Sequence, residues 1–213
     1  MQGFLNKVRL LDGIKCLDIV LSNEQIQMID AYSALLYKWN KTYNLTSITN
    51  NDDVLTHHIL DSLAAVPIFK RYVFEGAKVL DVGSGGGLPA IPLAIACPDV
   101  SVSLVETVGK KTAFLTQVAL SLKLKNVKVF NSRVENLKNL SFDVISSRAF
   151  SSLENFINLS SHLIKPEGCW VALKGQVPVD EINSIRDSFR TEIVQISVPF
   201  LNEDRNIVVI FNQ

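Results

Sequence analysis

A glycine-rich turn is the first feature of this sequence that could do chemistry. Residues 79–94 read VLDVGSGGGLPAIPLA: an apolar run passes Asp81, four glycines occupy five positions (Gly83, Gly85, Gly86 and Gly87), and an apolar helix is predicted from about Leu88. Glycine adopts positive φ angles and lets a ligand approach the backbone. Open α/β sheets bind their ligands at the carboxyl ends of strands. The stretch therefore predicts a ligand-binding turn rather than one that serves only the geometry of the chain.

Two kinds of cofactor compete for this turn. The dinucleotide fingerprint G-x-G-x-x-G needs a third glycine where this chain has Leu88, and Pro89 removes a backbone donor that a pyrophosphate would use. S-adenosylmethionine has no phosphate; it needs a close glycine turn and an acid at the end of the second strand for its ribose. Glu106 closes the run VSVSLVE, 23 residues after Gly83. The pattern favours S-adenosylmethionine.

Composition excludes several classes of protein. The 213 residues are 47% hydrophobic and carry 21 basic and 21 acidic side chains, so a wholly electrostatic nucleic-acid binder is not indicated. Cys16, Cys97 and Cys169 form no CxxC pair, which predicts neither a disulfide framework nor a zinc site. The sequence lacks a signal-peptide core and a membrane-length apolar run, and therefore predicts a cytoplasmic protein.

The order of predicted elements indicates an α/β fold. Residues 1–75 are helical in pattern: Ser22 and Gln25 form a capping box, and a second helix over 50–70 is capped near Asn51. From residue 77, strand and helix patterns alternate, which indicates a mostly parallel sheet covered by helices on both faces. After a helix predicted over 179–190, the strands over 192–200 and 206–213 are too close for a parallel crossover and predict an antiparallel hairpin. We therefore predict an N-terminal helical extension over 1–75 that packs on a core domain over 76–213.

Eight ordered stretches resemble a known family over nearly the whole chain. They are KWNKTYNLTSI, HILDSL, DVGSGGGLPAIPLAI, GKKTAFL, SRVE, SRAFSSL, ALKGQ and NIVVI. They are similar to the bacterial small-subunit ribosomal RNA guanine-N7 methyltransferases, also called glucose-inhibited division protein B. The resemblance implies a class I S-adenosylmethionine-dependent methyltransferase domain with a Rossmann-like sheet. It also implies methyl transfer to N7 of a guanine in the decoding-region loop of 16S ribosomal RNA. Because the chain is nearly neutral, we expect this RNA to be recognised within the small ribosomal subunit, and since the balanced charge gives no reason to require a dimer, we expect a monomer.

The resemblance also implies which residues contact the cofactor. The turn itself contributes three glycines, and Glu106 would hold the ribose by the general logic of the fold. The implied cofactor contacts are Gly83, Gly85, Gly87, Leu88, Glu106, Val134, Glu135 and Arg148. Two positions depart from the family pattern: Gly86 stands where proline is expected and Ala90 where glycine is expected. Neither change removes a binding group, so we expect an effect on affinity rather than on identity.

The reaction predicts positioning residues rather than a catalytic base. Guanine N7 has a free lone pair and no proton, so attack on a methyl group needs alignment and exclusion of water but no general base. Candidate substrate contacts are Asn44, His58, Arg133, Arg148, Lys174 and Arg205. Three of them have a plainer alternative: a surface salt bridge for Arg148, a solvated side chain for Lys174 and a helix hydrogen bond for His58. We find too few ligands for a metal around His58 and Asp61, a pair whose spacing suits one helical face.

Two other functions remain open at this level. A small-molecule methyltransferase would share the cofactor turn but would leave the N-terminal motifs and the basic residues unexplained. A binding module without turnover would not need Glu106, Arg148 and an intact turn. The sequence favours the ribosomal RNA methyltransferase over both.

Overall fold

The computed structural model describes residues 3–148, 150 and 152–213. Met1 and Gln2 of the predicted N-terminal extension, and Ala149 and Ser151 of the SRAFSSL motif, lie outside the described residues.

Helices fill the first part of the chain, as the sequence predicts. Helix α1 spans Lys7–Cys16 and α2 spans Asn23–Tyr43. The capping box of α2 is confirmed, because the Ser22 side chain accepts from the Gln25 N–H and the Gln25 side chain accepts from the Ser22 N–H. On α2, Ile29, Tyr32 and Leu36 are buried, which agrees with one apolar face of a helix.

The second predicted helix is not a regular α-helix. Its N-cap is Asn50, followed by α3 (Asn51–Asp53), a π-helical segment (Val54–Leu60), α4 (Asp61–Ala64) and α5 (Val66–Phe69). A π-helical segment has a wider turn than an α-helix and occurs often at functional sites. The periodicity of the sequence did not predict it.

A seven-stranded sheet forms the centre of the molecule. Its strands are β1 (Lys78–Val82), β2 (Ser101–Glu106), β3 (Val127–Asn131), β4 (Phe142–Arg148), β5 (Ile164–Lys174), β6 (Phe189–Ile196) and β7 (Arg205–Asn212). The order is β3-β2-β1-β4-β5-β7-β6. Pairs among β1 to β5 are parallel, whereas β7 is antiparallel to both β5 and β6. The predicted parallel sheet with an antiparallel C-terminal hairpin is confirmed.

The remaining helices lie between the strands in the chain. They are α6 (Ala90–Ala96), α7 (Gly109–Ser121), α8 (Leu153–Ser160) and α9 (Val179–Ile185), with 3₁₀ turns at Val134–Asn136 and Ser161–Leu163. The predicted helix over 179–190 is too long, because α9 ends at Ile185 and β6 begins at Phe189. The Phe189 ring packs edge-on against Trp170, with centroids 5.8 Å apart, and this contact draws Phe189 into the sheet. The loop of the hairpin therefore spans residues 197–204 rather than 201–205.

Two apolar cores cover the two faces of the sheet. Alternate strand residues such as Val79 and Leu80 point into different cores, as the two-residue repeat of a strand requires. One core joins the sheet to α6, α7 and the N-terminal helices; the other joins it to α8 and α9. The N-terminal helices thus share a core with the sheet, and the domain boundary near residue 76 stays a prediction.

Candidate active site

The glycine turn follows β1 at the carboxyl edge of the sheet. Gly83, Gly85 and Gly87 have φ angles of 72°, 54° and 87°. Apart from Gly83 and its two chain neighbours, no described residue has an atom within 4 Å of the point where a Cβ on Gly83 would stand, so this side of the turn is open to a ligand. A Cβ on Gly87 would lie 2.6 Å from Ile91 and 2.9 Å from Leu115. Gly83 therefore leaves room for a ligand, and Gly87 lets the turn pack on helices α6 and α7.

Four backbone donors of this turn are already used inside the protein. The Gly83 and Ser84 N–H groups donate to the Val105 carbonyl at 2.9 and 3.3 Å, and the Gly87 N–H donates to the Ser84 carbonyl at 2.7 Å. The Gly85 N–H donates to Glu106 Oε2 at 3.0 Å. A phosphate-binding turn needs free N–H groups aimed at the anion. This turn offers a carboxylate instead, and it suits a cofactor without phosphate.

A cavity of 270 Å³ opens beside Gly83, and we call it the cofactor cavity. Its lining includes Gly83, Glu106, Arg133, Val134, Glu135 and Phe150. Glu106 is buried, and Oε1 accepts from the Val108 N–H at 2.9 Å, so the carboxylate is fixed on the loop after β2. A lining that combines apolar side chains such as Val134 and Phe150 with one anchored carboxylate suits an adenosine group, whose ribose hydroxyls would donate to Glu106.

A second cavity of 410 Å³, here the target cavity, lies on the other side of the glycine turn. Gly86 and Leu88 of the turn form one wall, and Leu45, Thr46 and Ile48 of the loop after α2 form another. The remaining lining includes His57, His58, Asp61, Arg148 and Arg205. The cavity therefore combines residues from the N-terminal helices, the turn, the end of β4 and the start of β7.

A buried carboxylate joins the two arginines of the target cavity. Asp61 Oδ1 accepts from Arg205 Nε at 2.8 Å, and Asp61 Oδ2 lies 3.4 Å from Arg148 Nη1. Arg205 also contacts Glu203 at 2.8 Å, and Glu203 lies 3.5 Å from His57. The carboxylates of Asp61 and Glu203 thus balance the charges of Arg148 and Arg205.

His58 is neutral in this environment. Burial lowers its pKa to about 4, and the positive charge of Arg148 acts in the same direction. Nδ1 lies 3.0 Å from the His57 carbonyl, which can only accept, so Nδ1 carries the proton. Nε2 then accepts from the Thr46 hydroxyl at 2.7 Å. This histidine holds the loop after α2 in place and has no free lone pair for proton transfer.

Comparison with known proteins identifies the family. A family profile described as rRNA small subunit methyltransferase G (GidB) matches residues 25–208. The chain belongs to the rRNA small subunit methyltransferase G family. Among its relatives, the "Ribosomal RNA small subunit methyltransferase G" of Polaromonas naphthalenivorans is 44% identical over 202 residues, which cover 92% of this chain and 91% of the relative. The protein of the same name from Ralstonia nicotianae is 46% identical over 204 residues, with 93% and 92% covered.

Solved structures show the same fold at low sequence identity. A SAM-dependent methyltransferase from Aquifex aeolicus has a TM-score of 0.58 at 16% identity, with 79% of this chain and 97% of that chain covered. A SAM-dependent methyltransferase from Thiobacillus denitrificans, in complex with S-adenosyl-L-homocysteine, has a TM-score of 0.54 at 14% identity, with 72% and 90% covered. The predicted family, fold class, enzyme class and S-adenosylmethionine cofactor are confirmed.

For this member of the methyltransferase G family, the structure separates the predicted cofactor residues into two groups. Gly83, Glu106, Val134 and Glu135 line the cofactor cavity, and Gly85 reaches it through its bond to Glu106. Gly87 packs inside the turn. Leu88 and Arg148 line the target cavity instead. Their roles as cofactor contacts stay predictions.

The predicted substrate residues are also divided. His58, Arg148 and Arg205 meet at the target cavity, and Asn44 lies in an adjoining cavity. Arg133 lies at the cofactor cavity, away from the other cations. Lys174 is ion-paired with Glu181 at 2.9 Å, in a third cavity that Arg148 and Arg205 also line. Their contacts with RNA stay predictions.

Several other features lie away from this site. A larger cavity of 710 Å³ lies between the start of α2, the end of α6 and the loop before β3, and none of the predicted site residues is among the described residues that line it. Trp39 packs against Tyr43 and Phe114 rather than facing a cavity. Within residues 3–148, 150 and 152–213, we find no cluster of three potential metal ligands. The same ranges contain no helix with the length and hydropathy of a membrane span.

Sequence reasoning missed three residues that shape the site: Tyr32, Asp61 as a partner of two arginines, and Asp81. Asp81 and Asp61 lie in the motifs DVGSGGGLPAIPLAI and HILDSL. A charged residue among apolar neighbours is rarely buried without a partner, so both positions could have been recognised as site residues. Tyr32 gave no such signal, because its position on the apolar face of α2 is also typical of a core residue.

Asp81 is buried behind the turn, at the end of β1. Oδ1 accepts from the Ser146 hydroxyl at 2.8 Å. Burial raises its pKa to about 7; bonds from Ser84 and Ser146 and the charge of Arg148 oppose this shift, and the charge of Glu106 adds to it. At neutral pH this carboxyl group is therefore about half ionised.

We expect the stability of the protein to fall as Asp81 ionises. The pKa in the folded state, about 7, lies above the reference value of 3.8. The folded protein binds more protons between these values, so its free energy of unfolding decreases as the pH rises through this window. Each tenfold difference in proton affinity corresponds to about 1.4 kcal/mol. Asp81→Asn should remove this dependence, as measured by urea unfolding at pH 5, 6, 7 and 8. Parallel pH profiles for both proteins would contradict the prediction.

Tyr32 connects helix α2 to the glycine turn. Its ring is fully buried, and its hydroxyl donates to the Gly86 carbonyl at 2.6 Å. At Gly86 this chain lacks the proline that the family resemblance implies, so the backbone of the turn is intrinsically freer. The hydrogen bond from Tyr32 restricts that freedom from outside the turn.

Removing this hydroxyl should weaken both folding and cofactor binding. Tyr32→Phe keeps the ring but leaves a carbonyl without its partner, a loss of about 1–3 kcal/mol. We expect a lower midpoint of thermal unfolding and a Kd for S-adenosylmethionine that rises several-fold, measured by calorimetry. Tyr72→Phe is a matched control, since the Tyr72 hydroxyl bonds Glu192 away from the turn. Equal cofactor affinity for Tyr32→Phe and wild type would show that the bond does not shape the cofactor site.

Proposed function

We propose that this chain transfers the methyl group of S-adenosylmethionine to N7 of a guanine in 16S ribosomal RNA. One observation carries the proposal: Gly86 and Leu88 of the cofactor turn are also a wall of the arginine-lined target cavity. A base in that cavity would lie next to the turn that holds the cofactor. Membership of the rRNA small subunit methyltransferase G family supports RNA as the acceptor.

The residues of the target cavity fit a reaction without proton transfer. The bound cofactor supplies an activated methyl group on a sulfonium centre. Guanine N7 has no proton to lose, and the neutral, fully bonded His58 is not placed as a base. The protein would act by holding the base in line and excluding water, for which the buried side chain of Leu88 is suited.

The charge balance of the cavity also fits the product. A guanine methylated at N7 is a cation, and two unpaired arginines beside it would repel it. Asp61 and Glu203 neutralise Arg148 and Arg205 in this structure. The arginine side chains are still 29% and 20% exposed, so their outer edges can meet phosphate or the base.

We further propose that the small ribosomal subunit is the substrate and that the protein acts as a monomer. A chain with 21 basic and 21 acidic residues has little general attraction for RNA, so shape and protein contacts on the subunit would contribute. Sedimentation of the enzyme alone at working concentration would test the oligomeric state. A rate on free 16S RNA that equals the rate on subunits at physiological salt would contradict the preference for subunits.

The central experiment is transfer of labelled methyl from S-adenosylmethionine to small subunits from cells that lack this protein. We expect one labelled guanine, modified at N7, after the RNA is digested and mapped. Label on another atom or nucleotide would overturn the proposed target. Cofactor binding by calorimetry without any label would retain the cofactor and overturn the RNA substrate.

A further inference from the structure

Three neighbouring cavities with shared lining residues lie at this edge of the sheet. The target cavity shares Asp61, Arg148 and Arg205 with a cavity of 300 Å³ that contains Lys174. On its other side it shares Thr46 and Ser47 with a cavity of 370 Å³. A guanine in the target cavity belongs to an RNA strand, so the RNA backbone must continue from it on both the 5′ and the 3′ side. The two neighbouring cavities lie on such paths.

The 370 Å³ cavity, here the Lys41 cavity, has walls that are fixed by hydrogen bonds. Buried Asn40 accepts from the Thr46 N–H at 2.8 Å and donates to the Ile48 carbonyl at 3.3 Å. The Ile48 N–H donates to the Thr46 hydroxyl at 3.1 Å. The loop after α2 is therefore held in one conformation, and the cavity exists before any ligand binds.

An aromatic ring and a cation form the other side of the Lys41 cavity. The Lys41 ammonium lies 4.5 Å from the centroid of the Tyr37 ring. The Phe4 ring packs against Tyr37 at 5.2 Å and limits its movement. The positive charge of Lys41 is therefore part of the cavity wall and is held there by its contact with the Tyr37 ring.

Besides Asn40 and Thr46, whose hydrogen bonds hold the loop, the cavity is lined by four polar side chains without an ion-pair or hydrogen-bond partner in the described part of the chain: Lys41, Asn44, Ser47 and Thr49. Across the described residues, no carboxylate lies within ion-pair distance of Lys41, whereas Arg148, Lys174 and Arg205 are all paired with acids. The exposed side chains of Asn44, Ser47 and Thr49 likewise make no hydrogen bond within the described part of the chain. None of the described residues that line the cavity is acidic. Its chemistry is one free cation with several neutral donors and acceptors.

We propose that the Lys41 cavity binds the RNA nucleotide next to the target guanine. Lys41 would contact its phosphate, and Asn44, Ser47 and Thr49 would contact its ribose or base edge. Single-stranded RNA presents unpaired base edges and 2′-hydroxyls, which neutral amides and hydroxyls recognise. This inference rests on the proposed function, since it assumes that a guanine occupies the target cavity.

The test compares Lys41→Ala with wild type, with Lys41→Arg as the charge-preserving variant and Lys38→Ala as the matched control. Lys38 is exposed on the same helix and lines none of the three cavities.

Methyl transfer is measured against the concentration of unmodified small subunits and of free 16S RNA, between 50 and about 300 mM salt. Loss of one phosphate contact on a single strand should reduce the slope of log affinity against log salt by about 0.7. We therefore expect Lys41→Ala to raise KM about tenfold on both substrates and to lower that slope, with kcat and the Kd of S-adenosylmethionine unchanged.

The outcomes separate this inference from the proposed function. The inference is supported if KM and the salt slope change for Lys41→Ala but keep their wild-type values for Lys41→Arg and Lys38→Ala. An unchanged KM and slope for Lys41→Ala, while wild type methylates RNA, overturns the inference alone. A raised KM on subunits only, with free RNA unaffected, indicates a ribosomal protein as the occupant and also overturns it. Failure of wild type to methylate RNA overturns the proposed function, and the inference with it.

Discussion

Replacing Glu106 by glutamine is expected to weaken binding of S-adenosylmethionine about 100-fold. In the structure the carboxylate accepts from the Gly85 N–H at 3.0 Å and the Val108 N–H at 2.9 Å. Glutamine has one oxygen, so its amide nitrogen must face a donor or turn away. Hydrogen bonds to a charged group contribute about 1.5–3 kcal/mol each, and a tenfold change in Kd corresponds to about 1.4 kcal/mol. The loss of the ribose contact and a looser turn at Gly85 should act together.

Calorimetric titration with S-adenosylmethionine measures this effect directly. Glu167→Gln is a suitable control, because Glu167 is exposed and lies in a different part of the sheet, on β5. The midpoint of thermal unfolding should fall for Glu106→Gln and stay near the wild-type value for the control. A Kd within threefold of wild type would show that Glu106 does not hold the cofactor.

Asp61→Asn is expected to reduce both methyl transfer and stability strongly. The side chain of Asp61 is 7% exposed and contacts Arg205 at 2.8 Å and Arg148 at 3.4 Å. Asparagine removes the charge and turns an N–H donor toward a guanidinium donor. Breaking a buried ion pair by removing one partner costs about 3–5 kcal/mol. Since the two arginines are partly exposed, we expect a decrease in the free energy of unfolding near 3 kcal/mol.

The effect on activity follows from the position of the arginines. A displacement of about 1 Å in an active site can reduce a rate about 100-fold. We expect a loss of that size in kcat/KM for small subunits, whereas the Kd of S-adenosylmethionine should change less than threefold. Asp52→Asn is the matched control, because Asp52 is 69% exposed and pairs with Arg9 on the surface at 3.2 Å. Near-wild-type activity for Asp61→Asn in folded protein would show that Asp61 does not position Arg148 and Arg205.

The pairing of the predicted cations changes how the sequence motifs are interpreted. Arg148, Lys174 and Arg205 all carry acidic partners, so none of them is a free phosphate contact in this structure. Lys41, which lies in the KWNKTYNLTSI motif, was not a candidate from the sequence, because an exposed lysine near the end of a helix has no distinctive pattern. Only the folded loop over 44–49 reveals that Lys41 borders a cavity.

Local patterns in the sequence determined the elements that depend on near neighbours. The capping box of Ser22 and Gln25, the glycine turn and the acid at the end of β2 each depend on a few consecutive residues, and all three occur where the sequence predicts them. The alternation of strand and helix likewise determined the α/β class, because each short strand needs a helix to return the chain for parallel pairing. The glycine turn and Glu106 favoured S-adenosylmethionine as the cofactor, and the resemblance of eight motifs supplied the family.

Tertiary structure decided which distant residues meet. Asp61 lies 87 residues from Arg148 and 144 from Arg205 in the chain, and no local pattern predicts that these three side chains share one site. The insertion of β7 between β5 and β6 places Arg205 beside β5, and the π-helical segment before Asp61 determines where that carboxylate stands. The physical reason is that backbone propensity acts over a few residues, whereas strand order and the burial of a charge with its partners depend on how the whole core packs.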